Sequence, residues 1–277
     1  MNPVAVAMML VVFLLGLVVG SFLNVCILRI PAGTFFKNTR SHCPACGAMI
    51  PWYLNIPVLG FFILMGKARC CGARLSWQYP VVEFGTGLLF ALIFHRFPFL
   101  EVADGAGRVL VLDHAQALRF LHAIVFCSIL VVAAVIDLRL MIIPDVLSVG
   151  LVLTAPVVVA LHPDLTWRSS LYGVILGAGV LYAVAWTYWL IRRETGMGFG
   201  DVKLLAGIGG WLGFQAIFPV ILVGSVSGSL VGISVMLWNR KLDGKTALPF
   251  GPFLAAGAVA HLMFSQELKE LWISIGL

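Results

Sequence analysis

The sequence predicts an all-α polytopic membrane protein of about eight transmembrane helices, with a cytoplasmic, metal-binding loop domain between the first two. Three observations lead there. The chain of 277 residues is 61% hydrophobic and only 11% charged, with mean hydropathy +1.04. A soluble domain of this size needs far more polar surface, so the bilayer must be the main solvent. Apolar runs long enough to cross or enter a bilayer recur along the chain. The Lys and Arg residues are gathered in a few connecting segments.

The runs cover residues 4–28, 81–100, 120–136, 146–161, 170–191, 204–238 and 248–264. They are too many and too long for one removable leader, and the start lacks the basic segment a signal peptide would carry. Run 204–238 has 35 residues. As one helix it would extend about 52 Å against a hydrocarbon core of roughly 30 Å. It is therefore expected to fold back between Gly213 and Pro219 and supply two spans, eight in all. Two runs are short for full spans, which suits a protein that thins the membrane or opens a wet cleft. The organisation expected is a first transmembrane helix (1–28), a cysteine-containing loop domain (29–80) and a helical membrane domain (81–277). No internal repeat or low-complexity tract is evident, and the outward loop 101–119 carries no readable motif.

Eight spans place both termini on one side. One set of loops then holds 13 of the 18 Lys and Arg, namely Arg29, Lys37, Arg40, Lys67, Arg69, Arg74, Arg139, Arg192, Arg193, Lys203, Arg240, Lys241 and Lys245. The positive-inside rule makes that set cytoplasmic and both termini periplasmic. The net charge of +6 thus reads as topology, with membrane lipid as the partner and no nucleic acid. The eight tryptophans suit interface anchoring. Gly177-Ala178-Gly179 and Gly224, Gly228 and Gly232 have small-residue spacing that favours close helix packing.

Of six cysteines, Cys26 and Cys127 lie inside apolar runs and read as packing residues. Cys43-x-x-Cys46 makes a knuckle of the kind that grips zinc, and Cys70 and Cys71 are the other available thiols of the loop. Cys43, Cys46 and Cys71 are the firmest ligands, and the fourth is Cys70, His42 or water. The competing reading is a reduced, metal-free loop. The remaining histidines share no spacing and read as structural.

Two aspartates sit where carboxylates are expensive. Asp137 ends the run Val135-Ile136-Asp137. A central charge costs about 2.5–3.5 kcal/mol on insertion scales, less near the interface, so a function is expected; the alternative is a helix-end carboxylate beside Arg139. Asp201 lies in Gly198-Phe199-Gly200-Asp201-Val202-Lys203, a string that alone is weak and fits a loop with an N-cap. Both fall at cytoplasmic ends of spans. Two carboxylates converging in a low-dielectric site do not both ionise readily: one keeps a proton while the other activates water. Asp145, after Pro144, is expected to cap a helix. Glu194 and Asp243 read as solvated charges, and Glu83 is expected to face the loop rather than lipid.

Taken together, Ile136-Asp137, Ile143-Pro144-Asp145 and Gly198-x-Gly200-Asp201-x-Lys203 resemble the paired motifs of the type IV prepilin peptidases, a family of Gly-x-Gly-Asp intramembrane aspartyl proteases. Gly20-Ser21-Phe22-Leu23-Asn24-Val25, Cys43-Pro44-x-Cys46, Trp52-Tyr53-x-Asn55-Ile56-Pro57, Gly66-Lys67, Tyr79-Pro80-x-Val82-Glu83 and Leu248-Pro249-Phe250-Gly251-Pro252-Phe253 agree. The resemblance covers nearly the whole chain. It implies a bifunctional enzyme of the bacterial inner membrane. It would cleave the basic leader from type IV prepilins or type II secretion pseudopilins on the cytoplasmic side and N-methylate the new N-terminal residue. It implies Asp137 and Asp201 as the catalytic pair, S-adenosylmethionine as methyl donor, and a second Cys-x-x-Cys from which Ala68 departs. Glu83, Gly66 and Lys67 are placed near the methyl-transfer site. The rivals are a proton-coupled transporter, which predicts an internal repeat and mid-membrane acids, and a zinc-dependent assembly protein with inert aspartates.

Overall fold

The computed structural model describes residues 3–35, 42–43, 45–104, 108–194, 197–238 and 248–275. Asp243 and the loop cations Lys37, Arg40, Arg240, Lys241 and Lys245 lie outside them. Among the described residues nine α-helices run in order, with one antiparallel hairpin: α1 (Pro3–Arg29), α2 (Leu59–Ile63), α3 (Gln78–Arg96), β1 (Leu100–Asp104), β2 (Arg108–Leu112), α4 (His114–Leu140), α5 (Asp145–Leu161), α6 (Trp167–Arg192), α7 (Phe199–Leu212), α8 (Ile217–Trp238) and α9 (Gly251–Ile275). Each expected span forms a helix. By length and composition four are able to cross a membrane: Val4–Arg29, His114–Leu140, Trp167–Arg192 and Phe214–Trp238. The chain divides into two compact units, Met1–Val132 and Ala133–Leu277.

In the first unit α1 packs along α3. Asn24 and Gln78 join them: the Asn24 amide donates to the Tyr79 carbonyl at 3.1 Å and accepts from the Gln78 amide at 3.2 Å. The loop thus leaves α1 and re-enters α3 at a fixed point. The segment 101–119, which carries no readable motif, contributes to the hairpin, with Leu100 opposite Leu112 and Asp104 opposite Arg108. β-branched and aliphatic residues on both sides of the sequence Gly105-Ala106-Gly107 explain it.

In the second unit α7 is the buried helix. Residues Val202, Leu204, Leu205, Ile208 and Trp211 are all under 9% exposed, and α5, α6, α8 and α9 pack around it. At 14 residues it extends only about 21 Å, so it resides in protein rather than facing lipid along a full span. Its Gly209 lies against the Gly173 backbone of α6, so closely that neither position has room for a side chain. Ser170 donates to the Gly210 carbonyl at 2.7 Å and the Trp211 indole to the Leu151 carbonyl at 2.9 Å. The fold-back of the long apolar run falls where expected: α7 stops at Leu212, Gly213 takes φ +83°, and a short 3₁₀ turn leads into α8. Of the small-residue stripes, Gly177 packs on Leu205 and Ala206, and Gly224 and Gly228 on Phe253, whereas Gly179 meets nothing. The helix of residues 248–264 begins later than its apolar run, at Gly251, and leaves helical geometry at Phe264.

Candidate functional site

Asp137 lies in the last turn of α4, and Asp201 in the first turn of α7. Asp137 is 5% exposed, in a helix segment whose neighbour Ile136 is fully buried. The two carboxylates are within electrostatic reach of each other. Ile143, in the short link between α4 and α5, is the wedge of this corner. Its side chain stands against Gly200, where a Cβ would come within 3.1 Å, and against Gly251, where a Cβ would come within 3.0 Å. Glycine at both positions lets the link, the start of α7 and the start of α9 close on the carboxylates. The Oδ2 of Asp137 accepts a hydrogen bond from the Gly251 backbone N–H at 3.0 Å. That contact recruits the Leu248–Phe253 motif, to which sequence reasoning gave no role. Its signal was present: a Pro-Phe-Gly-Pro string opening an apolar helix.

Asp145 departs from expectation. The N-cap of α5 is Pro144, without a side-chain cap bond, and the Asp145 carboxylate instead accepts from Lys203 Nζ at 2.7 Å. Asp145 is the first residue of the helix itself, one position too late to cap it, and Lys203 follows Asp201 closely enough to reach it. The pair ties the start of α5 to the start of α7. Glu194 is exposed, as expected of a solvated charge.

In the first unit the Sγ atoms of Cys43, Cys46, Cys70 and Cys71 all lie within 4.8 Å of one another, a group that could hold a metal ion. Individual separations are 3.7 Å for Cys43–Cys71, 3.2 Å for Cys46–Cys70 and 3.9 Å for Cys70–Cys71. His42 is not in the group; its backbone bridges to Met49. The loop has a local repeat that sequence reading overlooked. Cys43 N–H donates to the Ala48 carbonyl and Gly47 N–H to the Cys43 carbonyl; Ala68 N–H donates to Ala73 and Gly72 N–H to Ala68 in the same pattern. The bridges His42–Met49 and Lys67–Arg74 correspond, and Gly47 and Gly72 take φ +70° and +69°. Two knuckles face each other, announced in sequence only by the recurring Cys-Gly-Ala at 46–48 and 71–73. Ala68, 7% exposed, occupies the place of Cys43, 3% exposed. Cys70 fills the fourth corner from inside the second knuckle. Backbone N–H groups of Ala45 and Cys46 hold the Cys43 thiol down to about 6, while the neighbouring thiols of Cys46 and Cys43 push Cys70 up to about 12.

Glu83 is 7% exposed and accepts from the Val58 backbone N–H at 2.6 Å. It meets the loop, as expected, at the start of α2, where Val58 holds φ +62°. The Ser21 hydroxyl of α1 also reaches it. A cleft beside Ser21 is lined by Val18, Phe22, Val25, Asn55, Ile56 and Pro57. Gly66 and Lys67 lie at the entry to the second knuckle, where Gly66 takes φ +69° against the Phe61 ring.

Comparison with known proteins gives a consistent result. The bacterial Peptidase A24 N-terminal domain matches residues 14–97, and the type IV leader peptidase family matches residues 124–233. The chain is 32% identical over 282 residues to a prepilin leader peptidase/N-methyltransferase of Burkholderia pseudomallei (strain 1026b), covering 93% of this chain and 85% of the relative. It is 34% identical to one of Stutzerimonas stutzeri, covering 98% and 95%. It is 33% identical to one of Xanthomonas campestris pv. campestris, covering 92% and 91%. No solved structure matches. The motifs read from the sequence and the full-length likeness to these relatives agree: the chain belongs to the type IV leader peptidase family.

Proposed function

We propose that the protein is an aspartic endopeptidase of the inner membrane that removes the basic leader of prepilins or pseudopilins and N-methylates the new N-terminus. The observation that carries this reading is the corner where Asp137 and Asp201 come within electrostatic reach, in a chain whose relatives are named prepilin leader peptidase/N-methyltransferase. Peptide hydrolysis needs a base to activate water and an acid to serve the departing nitrogen. Two carboxylates in one low-dielectric site supply both. The proposed topology has eight spans, a cytoplasmic loop domain (29–80) and both termini periplasmic. The protease domain (81–277) carries the dyad at the cytoplasmic face, and the substrate helix enters laterally with its leader in the cytoplasm.

The metal assigned to the loop is one structural zinc held by Cys43, Cys46, Cys70 and Cys71. A tetrahedral ion with bonds of about 2.3 Å needs its thiolates about 3.8 Å apart; the separations of 3.7 and 3.9 Å match that spacing, and the Cys46–Cys70 separation of 3.2 Å is shorter and would have to open on binding. For methylation, S-adenosylmethionine is the donor proposed, with Glu83, Gly66 and Lys67 at its site. The cleft beside Ser21 supports that placement, because it sets a small polar group within apolar walls next to the Glu83 anchor.

Purified protein incubated with a prepilin in detergent or lipid tests the proposal. Wild type should release the leader. Asp137→Asn and Asp201→Asn preserve shape and should each lower cleavage by about three or more orders of magnitude, as loss of a reacting group does. Substantial cleavage by either variant sinks the dyad.

A further inference from the structure

The two aspartates are chemically alike, but their surroundings are not. Asp137 is 5% exposed, and its Oδ2 accepts from the backbone N–H of Gly251 at 3.0 Å. Gly251 is the first residue of α9. An N–H there has no acceptor within its own helix and carries the positive end of the helix dipole, so it favours an anion. Asp201 has no such support. Among the described residues no hydrogen bond reaches its carboxylate. Lys203, two residues along α7, is held by Asp145 at 2.7 Å. The position also requires glycine. A Cβ on residue 251 would stand 2.7 Å from Asp137 Oδ2 and 3.0 Å from Ile143 Cδ1.

Resting on the reading of these two residues as the catalytic pair, we infer that Gly251 is a positioning residue that holds Asp137 as the ionised base, leaving Asp201 to carry the proton. The steps then divide as follows. Asp137 takes a proton from water as its oxygen bonds to the scissile carbonyl carbon. Asp201 gives its proton to the carbonyl oxygen, and a diol forms. Asp137 passes its proton to the peptide nitrogen and the C–N bond breaks. Asp201 recovers a proton from a diol hydroxyl as the new carboxyl group forms. Water is consumed, and both aspartates return to their starting states.

The test is the pH dependence of prepilin cleavage by the full-length protein. The pair titrates as a unit, so displacement of a limb is the readout. Gly251→Ala keeps the N–H but drives the carboxylate away from it. It should lower kcat at least about tenfold with KM little changed and move the acid limb up by about one pH unit, leaving the alkaline limb in place. Methylation of a pre-cut pilin at the wild-type rate shows that the variant is folded. An unmoved acid limb, or a displaced alkaline limb, overturns the inference. Absence of cleavage by the wild type would instead refute the proposed function.

A second measurement needs no variant. Dicyclohexylcarbodiimide attacks protonated carboxyl groups, and peptide mass spectrometry locates the adduct. In the wild type Asp201 should be labelled near neutral pH and Asp137 only in acid, where its labelling shows that it is reachable. Any other order overturns the assignment.

Discussion

The fourth corner of the cysteine cluster gives the sharpest structural prediction. Cys70 reaches the cluster from a position that its partner knuckle leaves empty of ligands, while Ala68 sits at the position of Cys43 with the same backbone hydrogen bonds. A complete structural zinc site contributes about 10–16 kcal/mol at neutral pH. One thiolate in four is then worth about 3 kcal/mol, or roughly two orders of magnitude in affinity. Cys70→Ser should weaken zinc retention by that factor, whereas His42→Ala should leave it near wild type, since His42 lies outside the thiol group. Ala68→Cys combined with Cys70→Ser should restore it, because residue 68 is 7% exposed and makes the same backbone hydrogen bonds as Cys43. The assay is competition with a chromophoric chelator on the purified full-length protein, alongside metal analysis. Wild-type zinc affinity in Cys70→Ser, or failure of the double variant to recover it, would refute the argument from knuckle congruence. A purified wild type without zinc would refute the metal itself.

Two further outcomes test other links. The Asp145–Lys203 pair is an ion pair between partly exposed side chains, 67% and 39% accessible, so it is worth at most about 1 kcal/mol; Asp145→Asn should leave readily measurable prepilin cleavage. With the loop in the cytoplasm, a membrane-impermeant thiol reagent should label Cys46 only after spheroplasts are permeabilised and zinc is chelated; labelling of intact spheroplasts would overturn the topology.

Much of this protein is local chemistry, and local chemistry is legible in order along the chain. The helices arise from apolar runs, and the break in the longest one from Gly213, whose φ of +83° ends α7. Asp137 and Asp201 are conspicuous because a carboxylate beside an apolar run is costly wherever it lies. The tertiary structure adds what depends on chain segments meeting. It directs Asp145 to Lys203 rather than to its own helix end, a choice set by reach across two helices. It opposes the two knuckles, so that two adjacent cysteines share a cluster with a pair far back in the sequence. Above all, it brings the Gly251 N–H to Asp137, a bond spanning 114 residues of sequence. Side-chain identity and periodicity determine which groups are expensive to bury. Only packing determines which partner makes the burial tolerable, because that partner is chosen by distance in space rather than by position along the chain.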